Sequence, residues 1–213
     1  MGPKLVILKD KDFLYRYSRV LFAAAFLVLF ICFNCMSSDR FWTWRNFKSI
    51  VFAAFPLMMV AYGQTMVLLT RGIDVSLGAV VSLANVVCVS LMKPESQTGW
   101  VMAVLGAVAA GAACGGLNGF IIAQFRLAPM IVTIAMTVVY SGLALYVMPM
   151  PSGSVHSGFG NLMRKTWFNI PLALLFIVIL MIVARLLTNS TSFGRQLRAV
   201  GGNEESAYST GIN

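Results

Sequence analysis

The chain has 213 residues, of which 59% are apolar and 11% charged, with 16 Lys and Arg against 7 Asp and Glu. A soluble domain carries about a quarter charged residues, so too few polar side chains remain here to cover such a core in water, and lipid must solvate the rest. Nor does the excess of base point to nucleic acid: basic residues stand singly at the ends of apolar runs, without a stripe of interleaved aromatics, and read as topology signals and headgroup contacts.

A spanning helix needs about 20 mostly apolar residues. Six stretches qualify, at residues 20–36, 50–69, 76–92, 101–123, 130–148 and 170–187, the third being short. The expected fold class is therefore all-α, a polytopic helical membrane protein. Its expected parts are an N-terminal tail over 1–18, a six-helix membrane domain over 19–188 and a polar terminal segment over 189–213.

The first stretch is not a cleaved signal. Its charged lead-in from Lys4 to Arg19 is too long for an n-region, and Cys-Phe-Asn-Cys-Met is a poor cleavage site. Cys32 and Cys35 form a C-x-x-C within this run, and Cys88 and Cys114 also lie in apolar runs, where a cysteine acts as a small hydrophobe. His156 is the single histidine, which leaves a histidine metal cluster or a Ser-His-Asp triad nothing to build with.

Six spans place both ends on one side. Lys4, Lys9, Lys11, Arg16, Arg19, Arg71, Arg126, Arg185, Arg195 and Arg198 then share the side of the ends, against Arg40, Arg45, Lys48, Lys93, Arg164 and Lys165 opposite. The excess predicts cytoplasmic ends. Trp42, Trp44, Trp100 and Trp167 fall at the outer interface, although the reverse orientation also puts them at an interface. Residues 71–75 and 124–128 read as tight turns, 93–100 as a short loop, and 149–169 as a long external loop bearing Gly and Ser. Pro56 and Pro129 are expected near the starts of their helices, where a missing N–H costs little.

Within the spans, several side chains suggest chemistry. In the second, Gln64 and Thr65 either line a polar pathway or bond across helices, and the same choice applies to Asn118. Between spans two and three, Gly72 allows a sharp turn, Asp74 or Ser76 can cap the next helix, and Arg71 can pair with Asp74. An Asp at the edge of a span is also where solute contacts arise. Gly78, Ser82 and Asn85 share one face of the third span. In the fourth, Ala103, Ala107, Gly111, Gly115 and Gly119 recur every four residues, which lets a neighbouring helix approach closely, either as general packing or at the centre of a transport domain.

The terminal segment from Gly194 to Asn213 is the most individual stretch. Gly201-Gly202 is expected to break the chain, and Asn203 to cap a short helix with Glu204 and Glu205 in its first turn. Gly211 can end that helix, and Ala199, Val200, Ala207 and Tyr208 can form an apolar face. No G-K-[ST] follows its glycines, so the chain does not bind ATP by a Walker-type loop.

Four blocks resemble the permease subunits of bacterial ABC importers of the ribose, xylose and autoinducer-2 type, relatives of the branched-chain amino-acid permeases. They are Gly-Gln-Thr-Met-Val-Leu-Leu-Thr-Arg-Gly-Ile-Asp-Val-Ser-Leu-Gly at 63–78, Gly-Leu-Asn-Gly-Phe-Ile-Ile-Ala at 116–123, Pro-Met-Ile-Val-Thr at 129–133, and 194–213. The resemblance implies a non-enzymatic transport subunit of the bacterial cytoplasmic membrane that pairs with itself or a sister subunit. Two cytoplasmic ATPase subunits, carrying ATP and Mg, would drive it, and a periplasmic solute-binding protein would deliver a sugar; the chain itself would bind no cofactor. By the same match Gly201, Gly202, Asn203, Glu204, Glu205, Ala207 and Gly211 are coupling residues beneath the ATPase. Arg71 and Ser206 depart from the family pattern, and family members run to roughly ten spans, so the chain is expected to be a fragment or a truncated product.

The mechanism implied is alternating access, with Gln64, Asp74, Asn85, Asn118 and Thr133 as path residues chosen for polarity within spans. A secondary transporter or channel would want intramembrane charges, and no span interior contains one. A membrane enzyme would want a His, Asp or Cys cluster that Cys32, Cys35 and His156 do not make. A truncated, inactive permease is the remaining alternative.

Overall fold

In lipid the backbone must satisfy its own N–H and C=O groups, so long apolar runs become helices. A computed structural model describes residues 4–92, 99–167 and 169–212. Residues 93–98, which hold most of the expected 93–100 loop, and Asn213 lie outside the described residues. The elements in order are α1 (Lys4–Ser37), α2 (Trp44–Leu69), α3 (Leu77–Leu91), α4 (Gly99–Phe125), α5 (Pro129–Val147), α6 (Ser157–Arg164), β1 (Thr166–Trp167), β2 (Ile170–Pro171), α7 (Leu172–Ser190), α8 (Ser192–Gly202) and α9 (Glu204–Ser209).

Among the described residues, five segments are long and apolar enough to cross a membrane: Val20–Ser37 within α1, then α2, α4, α5 and α7. With 15 residues, α3 is about 22 Å long, short of the roughly 30 Å hydrocarbon core. The six expected spans are thus five full-length ones and a shorter apolar helix. Large apolar side chains such as Phe22, Val138 and Tyr146 are exposed, as a lipid-facing surface requires. The protein is a helical, multi-pass membrane protein.

The chain divides into two compact units, Met1–Ile50 and Val51–Asn213. In the first, α1 is one continuous helix of 34 residues. At about 51 Å it exceeds the hydrocarbon core, and the lead-in read as a tail is helical from Lys4 onward. Pro56 is a correction: α2 begins at Trp44, so this proline stands inside the helix and removes an internal hydrogen bond. Pro129, by contrast, is the first residue of α5, where no bond is lost.

The core of the second unit is the packing of α3, α4 and α5 around Ala79, Leu83, Cys114, Tyr140 and Ala144. A smaller cluster joins Val51 of α2 to Ala173 and Ile177 of α7. The small-residue stripe of α4 does not form one packed groove. Steps of four residues advance 400°, so the stripe precesses by about 40° per step. It starts buried at Ala103 and ends exposed at Gly119, and no atom lies within 4 Å of a β-carbon built on Gly111, Gly115 or Gly119. The close approach falls at Gly106, where a β-carbon would overlap the end of Leu91.

The 149–169 loop carries more structure than its composition suggests. His156 accepts the Gly158 N–H at Nδ1 (3.0 Å) and so caps α6, while its own N–H points to Met92 Sδ at 3.0 Å. After α6, Thr166 pairs with Pro171 and Trp167 with Ile170 across a hairpin that Asn169 turns at φ +65°.

Candidate functional site

The turn from Thr70 to Ser76 is where the polar residues meet. Arg71 closes α2 in the left-handed region (φ +61°), with its N–H on Leu68 O at 3.0 Å. Gly72 follows, buried, with a built β-carbon 3.0 Å from Val67 Cγ1 and 3.5 Å from Pro129 Cβ. Asp74 does not pair with Arg71. Its Oδ1 accepts the Ser76 N–H (2.8 Å) and the Ser76 hydroxyl (2.7 Å), so Asp74 orders the entry to α3 through Ser76.

From Ser76 a chain of hydrogen bonds runs into the helices. Asn118 Nδ2 of α4 donates to Ser76 Oγ at 2.8 Å. The Tyr140 hydroxyl of α5 stands 2.8 Å from Asn118 Oδ1 and 2.9 Å from Cys114 O, and donates between them. Thr133 holds the same turn from α5: its Oγ1 accepts the Val75 N–H at 3.1 Å and lies 3.3 Å from Ile73 O. Ser76, Asn118, Thr133 and Tyr140 are all buried. Because an unmade bond in this setting costs on the order of 1–3 kcal/mol, the network fixes the α2–α3 turn against both α4 and α5.

Of the five residues expected to line a path, the structure therefore brings together Asp74, Asn118 and Thr133, and commits Asp74 Oδ1, the Asn118 amide and Thr133 Oγ1 to internal hydrogen bonds. Asn85 lies elsewhere, exposed on α3 beside Ser82, away from the buried Ala79 and Leu83. Gln64 is separate too: its Oε1, like the Tyr62 hydroxyl, is buried without a hydrogen-bond partner among the described residues. Thr65 bonds back to Ala61 O within α2. Tyr140 and Ser76, which complete the network, were not singled out as site residues, since a tyrosine in an apolar run is indistinguishable from packing without its partner. Among the described residues no group of His, Cys, Asp and Glu could hold a metal ion, and all four cysteines are free.

The terminal segment forms a helical corner. Thr191 Oγ1 accepts the Gly194 N–H (3.2 Å) and caps α8, while a β-carbon on Gly194 would overlap Thr188 O. Arg198 reaches back to Asn189 Oδ1 at 3.2 Å. Gly201-Gly202 do not break the chain; they are the last residues of α8. Gly201 is there because a β-carbon would overlap Leu69 O of α2. The break falls one residue later at extended Asn203, whose Oδ1 accepts the Ser206 N–H (2.9 Å) and caps α9.

Glu204 and Glu205 occupy the first turn of α9, and Gly211 (φ +83°) follows its end. Ala207 is buried, but Tyr208 is 67% exposed and does not extend the expected apolar face. Ala199 and Val200 of α8 are both half-buried, so the expected face is formed by these two and Ala207. The residues expected to couple thus divide into Gly201 and Ala207, which are half-buried and buried, and Gly202, Asn203, Glu204, Glu205 and Gly211, which stand open.

Residues 46–213 match the family described as branched-chain amino acid transport system / permease component. The chain is 32% identical over 195 residues to the ribose import permease protein RbsC of Escherichia coli (strain K12), covering 88% of this chain and 59% of RbsC. It is 28% identical over 189 residues to the D-allose transport system permease protein AlsC of the same strain, covering 87% and 57%. With the L-arabinose transport system permease protein AraH of that strain, identity is 31% over 192 residues, covering 88% and 56%. The chain therefore spans little more than half the length of these relatives. No solved structure matches it. On the strength of the matched 46–213 region, the chain belongs to the branched-chain amino acid transport system / permease component family.

Proposed function

We propose that the chain is a permease subunit, or the corresponding part of one, in an ABC importer for a sugar or sugar-like solute. It resides in the bacterial inner membrane with its N-terminus in the cytoplasm. A second permease subunit completes the path, a periplasmic solute-binding protein supplies the solute, and cytoplasmic ATPase subunits that hold ATP and Mg dock on α8 and α9. No covalent chemistry is assigned to this chain.

The observation that carries this reading is the seat of Gly201 on Leu69. Displacement of the α8–α9 corner is passed directly to the end of α2, and from there through the 70–76 turn to Asp74, Ser76, Asn118 and Tyr140. Its other end is fixed to α7 through Gly194 and Thr188. A motion imposed from outside therefore reaches α2, α3, α4, α5 and α7 together, which alternating access requires. Path-lining is assigned to Gln64, Asp74, Asn85, Asn118 and Thr133. Asn85 is the one whose polar side chain is exposed, and the others adjust the path through packing.

The test is co-purification of the chain with its ATPase subunit in detergent, followed by E204K/E205K. Docking on α9 predicts that association is lost on charge reversal. Association that ignores the reversal overturns the docking assignment.

A further inference from the structure

The turn between α1 and α2, within the first unit, contains a cavity of about 340 Å³ lined by Ile31, Phe41, Trp42, Thr43, Trp44, Phe47 and Ile50. This size is within the roughly 300–1,000 Å³ range of small-ligand sites. The cavity is built rather than incidental. Thr43 Oγ1 donates to Arg40 O at 2.7 Å, Asn46 Nδ2 donates to Phe41 O at 2.9 Å, and the Asn46 N–H meets Thr43 Oγ1 at 3.3 Å. The rings are ordered as well, Trp44 stacked on Phe47 (centroids 4.9 Å, 20°) and Phe41 edge-on to Trp42 (5.7 Å, 79°).

Each aromatic pair is flanked by base. Arg40 precedes Phe41, Arg45 follows Trp44, and Lys48 lies one helical turn on from Trp44, so it shares that face of α2. Against these three cations, Asp39 is the single carboxylate among residues 38–50. None of the three bases forms an ion pair among the described residues. Amphipathic aromatic side chains are at home at the level of the lipid headgroups. Here two helices and their turn set four aromatic rings along an open concave site, with net positive charge beside it in the sequence.

We infer that this turn binds an anionic glycerophospholipid, with Arg40, Arg45 and Lys48 holding the phosphate and the aromatic cavity receiving the glycerol and upper acyl chain. The charge selects the headgroup, and the apolar lining excludes a free phosphate or sugar phosphate as occupant.

The test uses the full chain carrying W100F/W167F, so that fluorescence arises from Trp42 and Trp44. It is reconstituted in phosphatidylcholine vesicles with increasing brominated phosphatidylglycerol or brominated phosphatidylcholine. Quenching by the anionic lipid is expected at an about fivefold lower mole fraction, as roughly one kcal/mol per basic residue implies at minimum. R40Q/R45Q/K48Q should bring the two curves together. Coincident curves before those substitutions, or a preference that survives them, overturn the proposal. Should the triple variant fail to fold, salt decides: a preference unchanged between low and high ionic strength also overturns it, because the contacts are between exposed charges.

Discussion

Gly201 lies so close to Leu69 that a β-carbon at position 201 would overlap the Leu69 carbonyl oxygen. A backbone carbonyl at a helix end cannot move aside as a flexible side chain can, so α8 itself must shift. We expect G201A to destabilise the chain by about 1–3 kcal/mol, in line with overpacking of a close contact. Gly202 provides the control: it also ends α8, yet a β-carbon there meets nothing within 4 Å. G202A should be neutral or slightly stabilising, by up to about 1 kcal/mol. Thermal unfolding of the two variants in detergent decides, and equal melting temperatures would refute the seat.

Asn118 joins Ser76 and Tyr140, and each partner has a second bond of its own, to Asp74 and Cys114 O respectively. Y140F removes the donor and leaves Asn118 Oδ1 buried without it, at an expected cost of about 1–3 kcal/mol. N118L removes the amide itself, and the second bonds of its neighbours limit the damage. Once Asn118 has gone, loss of the Tyr140 hydroxyl should matter less. The double variant is therefore expected to fall short of additivity by about 0.5–3 kcal/mol. Unfolding free energies from the four chains measure that coupling, and strict additivity would mean the two residues are independent.

The spans were legible because hydrophobic length alone identifies a lipid-facing helix, and Pro129, Asn203 and Gly211 marked boundaries by local backbone chemistry. The network was legible in part. Asp74 and Asn118 stood out as polar residues in apolar runs, but so did Asn85, and the two asparagines differ only in their surroundings. Asn118 meets Ser76 across 42 residues and Tyr140 across 22, separations over which periodicity says nothing. Pro56 was misplaced because hydropathy starts α2 late: Trp44, Arg45, Asn46 and Lys48 are helical but do not look like a span. Gly201 was read as a breaker because its real reason, the approach of Leu69, lies far away in sequence.

Arg71 adopts φ +61° at the end of α2, and Arg126 adopts φ +51° at the end of α4. The left-handed region costs a side chain roughly 1–2 kcal/mol, and glycine enters it freely. R71G is therefore expected to raise stability by about 0.5–1 kcal/mol, after allowance for the greater freedom of an unfolded glycine. R71A should give none of that gain, which separates backbone relief from loss of the charge. Chemical denaturation in mixed micelles checks both; a stabilising R71A with a neutral R71G would reverse the interpretation.

Asn85 and Thr133 separate a path role from a structural one. T133V keeps the shape but removes the oxygen that accepts the Val75 N–H, leaving a donor unpaired in a buried turn at a cost of about 1–3 kcal/mol. Asn85 is exposed on the face of α3 that carries Ser82, with no hydrogen bond to another helix among the described residues. N85L should therefore change stability by no more than about 0.5 kcal/mol. In the importer proposed above the order reverses if Asn85 touches solute: N85L lowers uptake at an unchanged melting temperature, whereas T133V lowers uptake only as it lowers the melting temperature. Measuring both quantities on both variants distinguishes the roles, and full uptake by N85L would remove that residue from the path.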